Sequence, residues 1–204
     1  MFRFLIITFV ASAMAHHGGS HMGACPEVKP VENFNLSAYQ GVWYEISKIP
    51  IESEGPGKCG QAEYKLEGDV VKVKNSQVIN SVQTYIEGTA RFADDANNAA
   101  KFIVSFTFGG VPSDSQLMVL QTDYSGYSIA YNCKYDEKTK IHEEHAWILS
   151  RSKTLEGDAK NAVDNFLKEN PKVIDSAKLV QSDFSEEACK FTSTSVMETP
   201  VAKP

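Results

Sequence analysis

His142-Glu143-Glu144-His145 sets two imidazoles and two carboxylates in four consecutive positions, the donor types of a metal site or of acid–base chemistry. The spacing counts against a metal site. The run reads as a strand, where side chains three apart point to opposite faces, so the two histidines cannot share one ion. The His-Glu-x-x-His of metalloproteases needs a helix and a four-residue step, and this stretch has neither. No Gly-x-Ser-x-Gly elbow and no phosphate-binding loop occurs. His16, His17 and His21 could hold a metal weakly, but a flexible N-terminal segment over 16–23 accounts for them better, and Gly19-Ser20-His21-Met22 resembles an expression-tag scar. Cys25, Cys59, Cys133 and Cys189 form no Cys-x-x-Cys redox pair and are too widely spaced for a zinc ribbon. An even set of this kind reads as two disulfides, with three pairings open. The residues point to binding without a metal, not to an enzyme.

The chain has 204 residues with a hydrophobic fraction of 42%, enough for one well-cored domain. A net charge of −6 argues against nucleic acid, whose phosphates call for a basic patch. Met1 to Ala15 reads as a secretory leader: Arg3, an apolar run from Phe4 to Val10, then Ala13-Met14-Ala15. That run is too short to span a bilayer, and no later stretch is long enough. A secreted, extracellular protein is expected, in a compartment that favours disulfides. Asn35-Leu36-Ser37 is a glycosylation sequon. The domain is expected over 24–190, with a Ser/Thr/Pro-rich, disordered tail over 191–204. A homo-oligomer is compatible with these features.

From Gly41 onward the apolar period is two. Ala62, Tyr64 and Leu66 alternate with polar neighbours, as do Val71 and Val73, and then Phe102, Val104, Phe106 and Phe108. Turn signals separate the runs: Glu67-Gly68-Asp69, Asp94 to Asn98, Gly109-Gly110-Val111-Pro112, Tyr124-Ser125-Gly126 and Asp136-Glu137-Lys138. The count is eight strands, near 41–49, 60–66, 70–79, 83–91, 101–108, 115–122, 127–134 and 142–150. The expected fold is all-β, an eight-stranded antiparallel up-and-down barrel, with a two-sheet sandwich as the second architecture. A barrel of that size holds one small ligand. The period then changes. Leu155, Ala159, Ala162, Val163, Phe166 and Leu167 share one helical face, and Pro171 follows. A single C-terminal α-helix packed outside the barrel is expected, with a last short strand near Lys178 to Gln181 and a long loop over Pro50 to Lys58.

At this point the chain resembles the lipocalins. Gly41-Val42-Trp43 stands on the first strand, Thr122-Asp123-Tyr124-Ser125-Gly126-Tyr127 at the hairpin between the sixth and seventh, and Arg151 at the end of the eighth. In that family these residues are structural: the basic side chain covers the Trp ring as a cation–π pair and closes the floor. Ala24 to Val31, Cys133 to Glu137, Leu149 to Lys153 and Ser182 to Glu186 are similar to the insect bilin-binding proteins and insecticyanins. The resemblance runs from about Ala24 to Cys189. It implies non-covalent biliverdin carriage and the disulfides Cys25–Cys133 and Cys59–Cys189. Each would close a loop worth about 4–5 kcal/mol in the chain-entropy model. A carrier of another apolar ligand such as a fatty acid, retinoid, carotenoid or pheromone, similar to apolipoprotein D, is the alternative. Some lipocalins are enzymes through a reactive cysteine in the cup, but disulfides would claim all four here.

The resemblance also orients the wall. With Trp43 inward, Glu45 and Ser47 follow on the same face. Cys133 facing Cys25 turns Ala130, Asn132 and Lys134 inward. On the eighth strand either His142 with Glu144 or Glu143 with His145 and Trp147 could face in, and family alignment favours the second set. The expected ligand wall is Glu45, Asn75, Gln77, Ile86, Phe106, Phe108, Asn132, Lys134, Glu143, His145 and Trp147. It is aromatic below and polar toward the mouth, a mixture that suits an amphiphile.

Overall fold

A computed structural model describes residues 20–51 and 57–197. The expected leader lies outside the described residues, as does most of the loop between Pro50 and Lys58. The strands are β1 (Ser20–Met22), β2 (Gly41–Lys48), β3 (Lys58–Glu67), β4 (Val70–Ile79), β5 (Val82–Phe92), β6 (Lys101–Phe108), β7 (Val111–Thr122), β8 (Tyr127–Asp136), β9 (Ile141–Ser150), β10 (Val180–Gln181) and β11 (Ser193–Val196). The helices are α1 (Leu36–Tyr39) and α2 (Gly157–Glu169). From β2 to β9 each strand pairs antiparallel with the next, and β9 returns to pair with β2. An up-and-down barrel of eight strands is therefore closed, as a two-sheet sandwich would not be, with short strand edges left only toward the mouth.

Alternation does what it should. Trp43, Tyr64, Val73, Ala90, Phe102, Val104, Val119, Ala130 and Leu149 form one cluster inside the lower barrel, joined by Phe34 and Tyr39 from the N-terminal arm. The opposite faces of β8 and β9 supply Ile129, Tyr131 and Ile148 to a second cluster with Ile49, Val163 and Ile174. Leu155, Ala159, Ala162, Phe166 and Leu167 pack against it, so α2 buries its apolar stripe on the outside of the barrel. Several hairpins are tighter than the turn signals suggested. Gly109 and Gly110 both take positive φ (54° and 85°), a two-residue turn that starts β7 at Val111.

Two disulfides join the ends to the barrel. Cys25–Cys133 fastens the N-terminal arm to β8, and Cys59–Cys189 fastens the C-terminal segment to β3.

Three expectations need correction. The segment 16–23 is not wholly flexible: Ser20–Met22 is β1, paired with Ile141 to Glu143 of β9. The tail is not disordered from 191 onward, since Ser193–Val196 is β11, parallel to Val82 to Tyr85 of β5. Both are mostly polar strands held by backbone hydrogen bonds, so they carry no alternating signature. Third, Ser47 does not face the cavity. The register shifts between Glu45 and Ser47, so an extra residue in β2 turns Lys48 inward instead.

Candidate functional site

The barrel floor is built first. Gly41 has φ +94°, and a Cβ there would stand 3.4 Å from an Arg151 guanidinium nitrogen. The Arg151 guanidinium lies 3.7 Å from the Trp43 ring centroid. Its nitrogens donate to the carbonyls of Tyr124 (3.0 Å), Val42 (2.9 Å), Ala38 (3.1 Å) and Tyr39 (3.2 Å). Trp43 Nε1 donates to the Tyr39 carbonyl at 2.8 Å. Asp123 Oδ1 accepts from the backbone N–H groups of Ser125, Gly126 and Tyr127, and Thr122 Oγ1 donates to the Tyr127 carbonyl. Thr122 and Asp123 thus fix one turn through their short polar side chains, while Arg151 covers one ring and bonds the Tyr124 carbonyl of that turn.

Below the cavity, burial holds the Tyr39 phenol well above its usual range, and it shares a 2.8 Å hydrogen bond with Ser128 Oγ. Burial pushes Tyr64 up to about 12. Asn35 Oδ1 caps α1 by accepting from the Ala38 N–H (3.0 Å), leaving the sequon side chain exposed near this closed end.

Above the floor lies a cavity of about 620 Å³. Its size falls in the range of small-molecule pockets. The structure brings together on its wall Glu45, Asn75, Gln77, Ile86, Phe106, Phe108, Asn132, Lys134, Glu143, His145 and Trp147. Tyr64, Val73, Val104 and Leu149 join them as an apolar tier shared with the core cluster, Asn75 stands beside Ile86 and Ala130 beside Trp147, and Lys134 faces Glu143 across β8 and β9 at the exposed rim. Phe106 and Phe108 have ring centroids 6.3 Å apart, as do His145 and Trp147. Asn132 Nδ2 donates to the Gln116 carbonyl. Asn75 Oδ1 is buried on this wall and has no hydrogen-bond partner among the described residues.

The His142–His145 pair divides as strand geometry requires. His145 lines the cavity, while His142 is on the outer face with Nδ1 2.8 Å from the Gly23 carbonyl. Glu144 is also outside, 3.1 Å from His21. Among the described residues no group of three His, Cys, Asp or Glu side chains comes together to hold a metal.

Sequence reasoning missed several lining residues. Tyr64 and Val104 were within reach, because they lie on apolar faces the alternation already marks. Lys48 was not, since the bulge that turns it inward leaves no imprint on residue types. It forms a 3.0 Å ion pair with Glu45, both side chains being largely withdrawn from solvent. Gly60 makes room for that carboxylate: a Cβ would stand 2.8 Å from Glu45 Oε1. Met197, just beyond β11, also lines the cavity and had no signal at all. An apolar cup with buried amide and ion-pair groups can orient an amphiphile, and every cysteine is held in a disulfide.

Comparison with known proteins agrees with this architecture. The lipocalin / cytosolic fatty-acid binding protein family model matches residues 40–186. Insecticyanin-B of Manduca sexta is 47% identical over 197 residues, 95% of this chain and 96% of that protein. The bilin-binding protein of Pieris brassicae is 50% identical over 186 residues, 91% of this chain and 96% of that one. The solved structure of insecticyanin from the tobacco hornworm Manduca sexta has a TM-score of 0.84 at 46% identity, covering 88% of this chain and 96% of its own. The closed barrel, the Arg151-capped floor and a family match over 40–186 agree: the chain belongs to the lipocalin family.

Proposed function

We propose that this lipocalin is a secreted carrier, not a catalyst, that holds biliverdin non-covalently in its cup. The observation that carries the reading is Asn75 Oδ1, a buried acceptor without a protein partner among the described residues, set between Ile86 and the apolar tier of a 620 Å³ cavity. A buried acceptor of this kind costs free energy until a donor reaches it. A conjugated tetrapyrrole brings pyrrole N–H donors on an apolar plane, which suits an amide beside Phe106 and Trp147. Its propionates belong at the rim, where Lys134 supplies a positive charge. The four cysteines are all in disulfides, so no thiol remains to attach a pigment through a thioether. Two disulfides also fit an oxidising, extracellular compartment. Similarity to a protein named for bilin binding supports the same choice over a fatty acid or retinoid.

Titration of the apo protein with biliverdin tests the assignment. A red-shifted visible band should appear with quenching of tryptophan fluorescence, because Trp147 lines the cup. Asn75→Leu should weaken binding about tenfold, the value of one buried hydrogen bond at about 1.4 kcal/mol. Absence of both optical changes in the unmutated protein would sink the bilin assignment.

A further inference from the structure

The barrel wall has a gap toward its mouth, and the C-terminal segment fills it. β5 and β6 are paired only between Gly88–Phe106 and Phe92–Phe102. They approach closely at Gly88, where a Cβ would lie 2.3 Å from the Ser105 carbonyl oxygen and 2.5 Å from the Phe106 ring. Beyond that crossing β6 stays paired with β7 as far as Phe108, while β5 continues beside β4 to Val82. The edge of β5 that faces the gap over Val82 to Tyr85 is taken by β11, running parallel in a barrel that is otherwise antiparallel. The Thr192 N–H donates to the Ser81 carbonyl (2.9 Å) and the Met197 N–H to the Tyr85 carbonyl (2.6 Å), so the segment is held at both ends.

The register fixes which side chain enters. Ser195 stands beside Thr84 and Val196 beside Tyr85, so the next residue falls beside Ile86, on the cavity face. Val196 is 56% exposed outside, and Met197 lines the cup. A one-residue slip would exchange them. The Cys59–Cys189 disulfide ends four residues before β11 begins, which keeps the strand at high effective concentration next to its edge.

We infer that Ser193–Met197 is a ninth stave of the ligand cavity and that Met197 is a specificity-determining residue in contact with the ligand. A thioether on three rotatable bonds adapts to an irregular apolar surface, which suits the edge of a conjugated plane. Because the stave covers the gap between β5 and β6, it also slows escape of the bound molecule. The identity of that molecule rests on the proposed biliverdin reading; the existence of the stave does not.

Four variants test this beside the full chain: chains ending at Thr192 and at Met197, and the full-length substitutions Met197→Ala and Met197→Asp. Two probes are used, biliverdin and the fluorophore 1-anilinonaphthalene-8-sulfonate. The chain ending at Met197 should behave as the full chain. The chain ending at Thr192 and Met197→Ala should each release biliverdin about tenfold faster, the scale of losing a few buried methyl-sized contacts, and Met197→Asp faster still. With methionine methyl groups labelled with carbon-13, the Met197 resonance should shift on biliverdin binding while Met118, on the outer cluster, stays in place.

Unchanged release and an unmoved Met197 resonance would overturn the stave. If circular dichroism shows that the Thr192 truncation has unfolded, Met197→Ala and the methyl spectrum decide. If the full chain gives no biliverdin band, the bilin reading fails by itself. The fluorophore's affinity across the same variants then decides the stave: a loss on truncation supports it and no change overturns it.

Discussion

Arg151 shows how one side chain can close a barrel. Its guanidinium covers Trp43 and collects the carbonyls of Ala38 and Tyr39 from α1, Val42 from β2 and Tyr124 from the hairpin between β7 and β8. Arg151→Met keeps much of the volume but strips every donor. We expect a loss of about 2–4 kcal/mol in urea unfolding, with biliverdin affinity unchanged within about twofold. Arg151→Lys should rescue little, because an ammonium cannot stack flat on indole while bonding several carbonyls. A large drop in affinity without a drop in stability would reassign Arg151 to the ligand. The same floor sets a pH limit. Tyr39 and Tyr64 are neutral in the fold, with burial holding Tyr39 far above its ordinary 10.0 and Tyr64 near 12. In the unfolded chain both ionise near 10.0, so the unfolded state loses protons that the fold retains. Their contribution is complete below pH 10.0 and is lost as pH rises from there toward about 12. Urea midpoints should fall across that window, and part of the phenolate absorbance should appear only with unfolding. Full phenolate absorbance in the still-folded protein would contradict it.

At the scale of elements, legibility follows from which forces leave marks on residue type. The eight barrel strands and α2 are burial-driven, so a period of two and then 3.6 records them in the order of apolar side chains. The same alternation aims Asn75, Gln77, Phe106, His145 and Trp147 at one cavity. β1, β10 and β11 are held differently. Each covers an edge that a barrel strand leaves open near the mouth: β1 on β9, β10 on β2, and β11 on β5 beyond its pairing with β6. Backbone groups do that work, and Ser20-His21-Met22 or Ser193-Thr194-Ser195-Val196 need no apolar face to supply them. Polar composition therefore reads as disorder where the fold has a strand. The bulge in β2 is illegible for a related reason. Glu45 and Ser47 go on alternating with Tyr44, Ile46 and Lys48, and nothing in those types tells that Ile46 lacks a partner on β9. Lys48 enters the cup through a backbone irregularity, not through a pattern.

For the whole molecule, the two disulfides have matched thermodynamic weight and distinct functional weight. They close sequence separations of 108 and 130 residues, so the chain-entropy model assigns both about 4–5 kcal/mol, with observed losses commonly 2–5 kcal/mol. Cys25–Cys133 ties the N-terminal arm to the outer face of β8, where Val28 packs against the helix-side cluster. Cys59–Cys189 ties β3 to the segment that continues into β11 and the cavity-lining Met197. Replacing both members of either pair with alanine should therefore lower urea stability by similar amounts. Release of biliverdin should separate them. Without Cys59–Cys189 the stave keeps its own hydrogen bonds and a more distant tether at Asp183, which accepts from the Cys59 N–H and from Lys58, so its docking should be weaker and escape faster. Cys25–Cys133 borders the cup at Cys133 but does not hold the C-terminal segment, so its loss should change the release rate less. Stopped-flow transfer of pigment to an excess of serum albumin, at a urea-free pH of equal stability ranking, reads both rates directly. Equal release from the two double variants would show that the disulfide serves the fold alone and leaves the cup untouched.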